Sequence, residues 1–203
     1  MSKIALKWLG VVICSTVALG GALFYADVLH KPGNSPAELS EDQLGLPDSA
    51  DSNRVEPRPA EPFSLKDSTG KPHKLTDLKG SVVLIHFWAS WCPPCLPELP
   101  EIVALAHDYE GKKLKVLAIS QDEQWQNALD VFPKGSEIGG AMPRNLLMVL
   151  DDHGQISDKY GSYMFPETYL INSKQQIVAK LVGPQDWSSA DIRGLIDKTL
   201  SGS

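Results

Sequence analysis

Cysteine is scarce: the chain has three in 203 residues. That is too few for a disulfide scaffold. Two of them, Cys92 and Cys95, are separated by two residues, and the third, Cys14, lies in the hydrophobic N-terminal stretch. A zinc site would need a second ligand pair, and the sequence has neither another Cys-x-x-Cys nor a His-x-x-x-His. No metal and no other cofactor is therefore expected. Positive charge is also short, with 19 Lys and Arg against 25 Asp and Glu, for a net charge of −6. That balance argues against nucleic acid as a partner. No internal repeat is visible, so a solenoid is excluded. The length allows one ordinary domain plus extras.

What is present centres on Phe87-Trp88-Ala89-Ser90-Trp91-Cys92-Pro93-Pro94-Cys95. The unbroken apolar run from Val82 to Phe87 predicts a central strand buried on both faces. The cysteines follow a short turn, where a helix running to Tyr109 is expected to start. Its apolar residues, Leu96, Leu99, Ile102, Val103 and Ala106, share one face. A Cys-x-x-Cys between strand and helix suits reversible dithiol chemistry. On this reading Cys92 faces the unpaired N–H groups and positive end of the helix, and acts as nucleophile. Cys95 lies deeper and resolves the mixed disulfide. The alternative, a buried structural pair, fits poorly with the flanking Trp88 and Trp91, which are read as partial shields of the site.

Phe87 to Cys95 resembles the active site of the thioredoxin superfamily. Pro93-Pro94 and the following Leu96-Pro97-Glu98-Leu99-Pro100 resemble its membrane-anchored TlpA/ResA branch, which includes cytochrome c maturation thioredoxins. The resemblance covers roughly Phe63 to Leu200. It implies an α/β, thioredoxin-like fold: a central mixed β-sheet flanked by helices, with an N-terminal β-hairpin and a central helix-strand insertion. Pro100 falls where this family kinks its helix. Tyr160 to Asn172 resembles the segment carrying the family's cis-proline, which places Pro166, and Phe165 before it, beside the sulfurs. The backbone of Phe165 would then pair with a client by strand addition. His86 stands where thioredoxins have a buried carboxylate that takes the proton of the resolving thiol. A proton-accepting imidazole and a core histidine bonded to backbone are both open. Glu98, Glu101 and Glu167 are nearby acids that the chemistry does not require.

Three segments are expected. Residues 1–29 form an N-terminal membrane anchor: Lys3 and Lys7 precede an uncharged stretch from Trp8 to Ala26, close to the roughly 20 residues that cross a bilayer. The lysines hold the N-terminus in the cytoplasm, so the rest is extracytoplasmic, single-pass and bound to the inner membrane. A cleaved signal peptide is the rival, though the apolar run is long for one. Residues 30–62, rich in Pro, Ser, Asp and Glu, read as a flexible acidic tether. Residues 63–203 are the thioredoxin-like domain. Within it, alternation at Phe63 and Leu65, a turn at Asp67–Gly70 and a return over Pro72–Leu75 predict the hairpin. Leu114–Ser120 and Leu146–Leu150 read as strands, Glu123–Val131 as a helix, and Gln176–Val182 as an antiparallel partner of the proline segment. Ser188 or Ser189 caps a last helix.

These features favour a membrane-anchored thiol:disulfide oxidoreductase. Its partners would be exported disulfide or dithiol proteins, among them apocytochrome c, and a membrane electron donor of the thiol-reducing type. Reduction is the expected direction, because Pro93 and Pro94 place no cation beside Cys92 of the kind that acidifies strongly oxidising members. A thiol peroxidase is the first alternative. Peroxiredoxins carry a Thr or Ser three residues before their nucleophile and a Pro seven before it. Ala89 and Ile85 occupy those positions here. A non-catalytic binding or chaperone module is the second.

Overall fold

The computed structural model describes residues 52–134 and 140–202. The expected anchor, with Lys3, Lys7 and Cys14, and most of the expected tether lie outside them. Among the described residues no helix is long and apolar enough to cross a membrane.

One mixed sheet of eight strands organises the domain. The strands are β1 (Arg54–Pro59), β2 (Ser64–Lys66), β3 (Pro72–Lys74), β4 (Val82–Trp88), β5 (Leu114–Ser120), β6 (Leu146–Leu150), β7 (Glu167–Ile171) and β8 (Gln176–Val182). Their order across the sheet is β1-β8-β7-β4-β5-β6-β2-β3. All seven residues of β4 are buried, as its unbroken apolar run requires. It pairs parallel with β5 and antiparallel with β7, and β6 adds parallel to β5. The helices are α1 (Glu98–Asp108), α2 (Trp125–Val131), α3 (Gln155–Tyr160) and α4 (Ala190–Ser201). Because α1 links the parallel strands β4 and β5, it forms a βαβ crossover, and the turn after Trp88 falls at the carboxyl end of the sheet.

The two faces of β4 carry different cores. Val82 and Leu84 pack with Ile102 and Leu105 of α1 and with Leu195 and Ile196 of α4. Val83, Ile85 and Phe87 face Phe63 and Leu75 of the N-terminal hairpin region, and Tyr160 and Tyr169. Ser189 caps α4, its hydroxyl accepting the Ile192 N–H.

Two expectations need correction, and one element was not foreseen. The tether does not run to Pro62, because β1 already joins the sheet beside β8. This strand is almost wholly exposed and holds Pro57 and Pro59, so neither apolar alternation nor propensity marks it. Prolines are tolerated there because it is an edge strand. The short helix α3 carries no expectation from the sequence. It is stabilised by Asp151, whose Oδ2 accepts the N–H groups of Ile156 and Ser157 at 2.9 and 3.0 Å.

The second correction concerns the helix after the cysteines. It begins at Glu98 and not at Cys92. Pro97 has no N–H to give Pro93 O, so a helix started at Cys92 would lose a bond in its second turn. The available donors close three-residue turns instead: Cys95 N–H to Cys92 O at 3.0 Å and Glu98 N–H to Cys95 O at 3.1 Å. Pro100 therefore sits in the first turn of α1, where a missing N–H is harmless, and not in a helix interior.

Candidate active site

The redox turn hangs from the end of β4. Cys92 donates its N–H to Ala89 O at 3.2 Å, which folds the chain back as it leaves the sheet. Cys92 and Cys95 are bonded, S–S 2.02 Å, with their Cα atoms 5.4 Å apart. Cys95 is fully enclosed, while Cys92 retains slight exposure. The expected asymmetry of access is thus present, but its source is packing and not the start of a helix. Since α1 begins six residues beyond Cys92, the helix dipole acts on that sulfur only weakly; its effect fades within the first turn.

The two tryptophans have different surroundings. Trp88 is a core residue, fully buried with its ring 5.6 Å from that of Phe132. It packs in the buried cluster that holds both cysteines. Trp91 is 62 % exposed and stands edge-on to Phe165, with ring centroids 6.0 Å apart. Tyr163 and Met164 are exposed by 75 % and 66 %. Pro93 and Pro94 are also exposed. Beside Cys92 the chain thus presents Trp91, Pro93 and Pro94, all exposed and none charged.

The Phe165–Pro166 bond is cis. Phe165 packs against the cluster that holds both cysteines. Pro166 O accepts the Gly183 N–H at 2.9 Å, fastening this loop to the end of β8.

His86 is fully buried. Its Nδ1 lies 2.9 Å from Thr168 Oγ1, its ring meets Trp187 edge-on at 5.8 Å, and its Nε2 has no partner among the described residues. Desolvation pushes its pKa down to about 3, so the ring is neutral at physiological pH. So weak a base is ill suited to take a thiol proton, and its hydrogen bond goes to a side chain, not to backbone. Of the two readings of His86, the geometry favours the core one.

This histidine makes stability depend on pH with a definite sign. Below pH 6.5 the unfolded chain takes up a proton that the folded ring refuses until about pH 3. The contribution, complete above 6.5, falls by about 1.4 kcal/mol per unit of pH below it. Glu98 works oppositely, since burial raises its pKa, helped least by Glu101 and opposed by bonds from Gln185 and Trp187. The comparison that isolates His86 is denaturant unfolding of wild type and His86→Gln at pH 7 and pH 4. Wild type should lose about 3 kcal/mol more than the variant. Equal losses would refute the buried neutral ring.

Of the three acids set aside in the sequence, Glu101 is exposed, but Glu98 and Glu167 are not surface groups. Glu98 is buried; its Oε1 accepts the Trp187 indole N–H at 2.8 Å and the Gln185 N–H at 2.7 Å, and its Oε2 has no partner among the described residues. Its position was legible, since it precedes Ile102 and Leu105 by four and seven residues on the buried stripe of α1. Glu167 is buried on the Tyr169 face of β7, with Lys180 Nζ 3.2 Å from its Oε1. It follows Pro166 but faces away from the His86–Thr168 side of the sheet. Among the described residues no three His, Cys, Asp or Glu side chains are grouped to hold a metal ion.

An enzyme that carries electrons on a cysteine pair needs one sulfur a client can reach and one it cannot. The turn supplies that division, and the chain is a thiol-disulfide oxidoreductase with a thioredoxin-like fold. It belongs to the AhpC/TSA family, which residues 57–180 match. It is 30% identical over 147 residues to the sporulation thiol-disulfide oxidoreductase A of Bacillus subtilis (strain 168), covering 70% of this chain and 85% of that protein. It is 31% identical over 121 residues to the thiol-disulfide oxidoreductase ResA of the same organism, covering 60% of this chain and 64% of that one. A crystal structure from Chlorobium tepidum, assigned as the thiol:disulfide interchange protein DsbE, aligns with a TM-score of 0.62 at 27% identity. That alignment covers 72% of this chain and 98% of the other.

Proposed function

We propose that the chain is a membrane-anchored, extracytoplasmic reductant of disulfides in exported proteins, apocytochrome c among them. The observation that carries this reading is that the exposed neighbours of Cys92 in the turn, Trp91, Pro93 and Pro94, carry no charge, while Cys95 is fully buried. Cys92 thiolate attacks one sulfur of a client disulfide, and the other client sulfur leaves as a thiolate and takes a proton. Cys95 then gives up its proton and attacks Cys92 Sγ, expelling the second client thiolate. Two electrons and two protons have passed to the client, and the Cys92–Cys95 disulfide remains. An oxidising compartment cannot restore the dithiol, so a membrane dithiol donor must. Lys3 and Lys7 ahead of the uncharged stretch support the anchor.

The direction is tested by the reduction potential of the pair in the full chain, held in mild detergent and equilibrated with glutathione. A reductant should lie near thioredoxin, about −270 mV; a value near that of DsbA, about −120 mV, would make it an oxidant. Peroxidase chemistry is disfavoured by Ala89 and Ile85.

A further inference from the structure

Asp122, just past the end of β5, is fully buried and is used by no step above. Its Oδ1 accepts the Ser90 hydroxyl at 2.5 Å, and its Oδ2 accepts the Ser90 N–H at 3.1 Å and the Ser120 hydroxyl at 2.6 Å. The Asp122 N–H in turn donates to Ser120 Oγ at 3.0 Å. A carboxylate buried away from water is costly unless donors converge on it. Here two of the three donors come from one residue, which lies two positions before Cys92. The neighbouring Gln121 N–H donates to Trp88 O at 2.8 Å, so the last residue of β4 and the turn beyond it are both fastened to the end of β5.

We infer that Asp122 is a positioning residue for the redox turn, acting through Ser90 to keep Cys92 Sγ close to Cys95 Sγ when the disulfide is open. Cys95 is fixed by its complete burial. Cys92 lies at the rim; its N–H is bonded to Ala89 O, its carbonyl accepts the Cys95 N–H, and the chain leading into it is held by the Asp122 clamp on Ser90. When two electrons and two protons open the disulfide, the sulfurs must move apart beyond bonding distance. A clamped turn limits that separation, keeps the effective concentration of one thiol at the other high, and so favours the closed form. Asp122 thereby makes the pair a stronger reductant. This inference rests on Cys92–Cys95 exchange alone and on neither client nor compartment.

The test is the equilibrium of the full chain with glutathione, in which the dithiol and one oxidised glutathione give the disulfide and two reduced glutathiones. Ser90→Ala should lower the stability of the Cys92–Cys95 disulfide about tenfold, a shift of about 30 mV toward oxidising values. Asp122→Asn, nearly the same shape, should shift it the same way. Ser90→Thr keeps the hydroxyl and should restore the wild-type value. Ser120→Ala removes a donor from the same carboxylate without touching the redox turn, and should change the equilibrium less than twofold while lowering the melting temperature like Ser90→Ala. An unchanged equilibrium in Ser90→Ala, with only a lower melting temperature, would overturn the inference. So would an equal shift in Ser120→Ala. Failure of the wild-type pair to exchange with glutathione would instead overturn the oxidoreductase reading.

Discussion

Cys95→Ser should convert a catalyst into a trap. The serine keeps the size of the side chain and the turn, but no sulfur remains beneath Cys92 to expel a bound client. Cells producing the variant should accumulate covalent adducts of Cys92 that dithiothreitol cleaves and that are absent in Cys92→Ser. Disulfide reduction by either variant should fall to background, since each lacks one sulfur of the relay. Because Cys95 is wholly enclosed, a client cannot attack it instead, so no second adduct should form through that position in Cys92→Ser. Mass spectrometry of the adducts identifies the clients. Recovery of apocytochrome c or a haem-ligation component would support the maturation role, and recovery of unrelated exported proteins alone would favour a general reductant. A reactive Cys92 that captures nothing in cells would refute the exchange reading.

The second large effect belongs to a residue far from either sulfur in sequence. Trp187→Ala should destabilise the fold by about 4 kcal/mol, the usual cost of deleting a buried aromatic ring. For a domain of this size that lowers the melting temperature by about 10 °C. The cost has more than one origin. The ring lies in the core shared by α1 and α4, its indole N–H satisfies buried Glu98, and its face receives the edge of His86. Trp187→Phe separates these, because it keeps most of the apolar volume and removes only the donor. It should cost about 1 to 3 kcal/mol, the penalty of a buried acceptor losing a partner. If the two variants melt together, packing contributes little and the bond to Glu98 dominates.

Trp187 also shows where sequence reasoning stops. The central strand, the βαβ crossover, the hairpin and the proline loop were legible because each is written in apolar runs, turn residues or an explicit motif. Trp187 lies in a polar stretch, Gln185-Asp186-Trp187-Ser188, and only the three-dimensional return of the β8–α4 connection brings it under α1. The buried acids were hidden for a related reason: a glutamate is read as solvated unless its periodicity is weighed before its charge. β1 was invisible because an exposed edge strand has no buried face to impose a pattern. The helix start was misplaced because the strand-turn-helix outline was read through a run of prolines that cannot donate. Asp122 had no local signal, since its partner Ser90 is 32 residues away.

Those prolines act on the unfolded chain as well. Four of the eight residues from Pro93 to Pro100 have a ring that fixes φ, so the disordered segment samples far fewer shapes than an ordinary loop. Less conformational entropy is lost when it folds. Pro93 and Pro94 face solvent, as a surface that must receive other proteins requires, and gain little from burial. Stiffness replaces packing there. It also persists when the disulfide opens and while a client is attached, because it resides in the covalent backbone and not in contacts that either event disturbs.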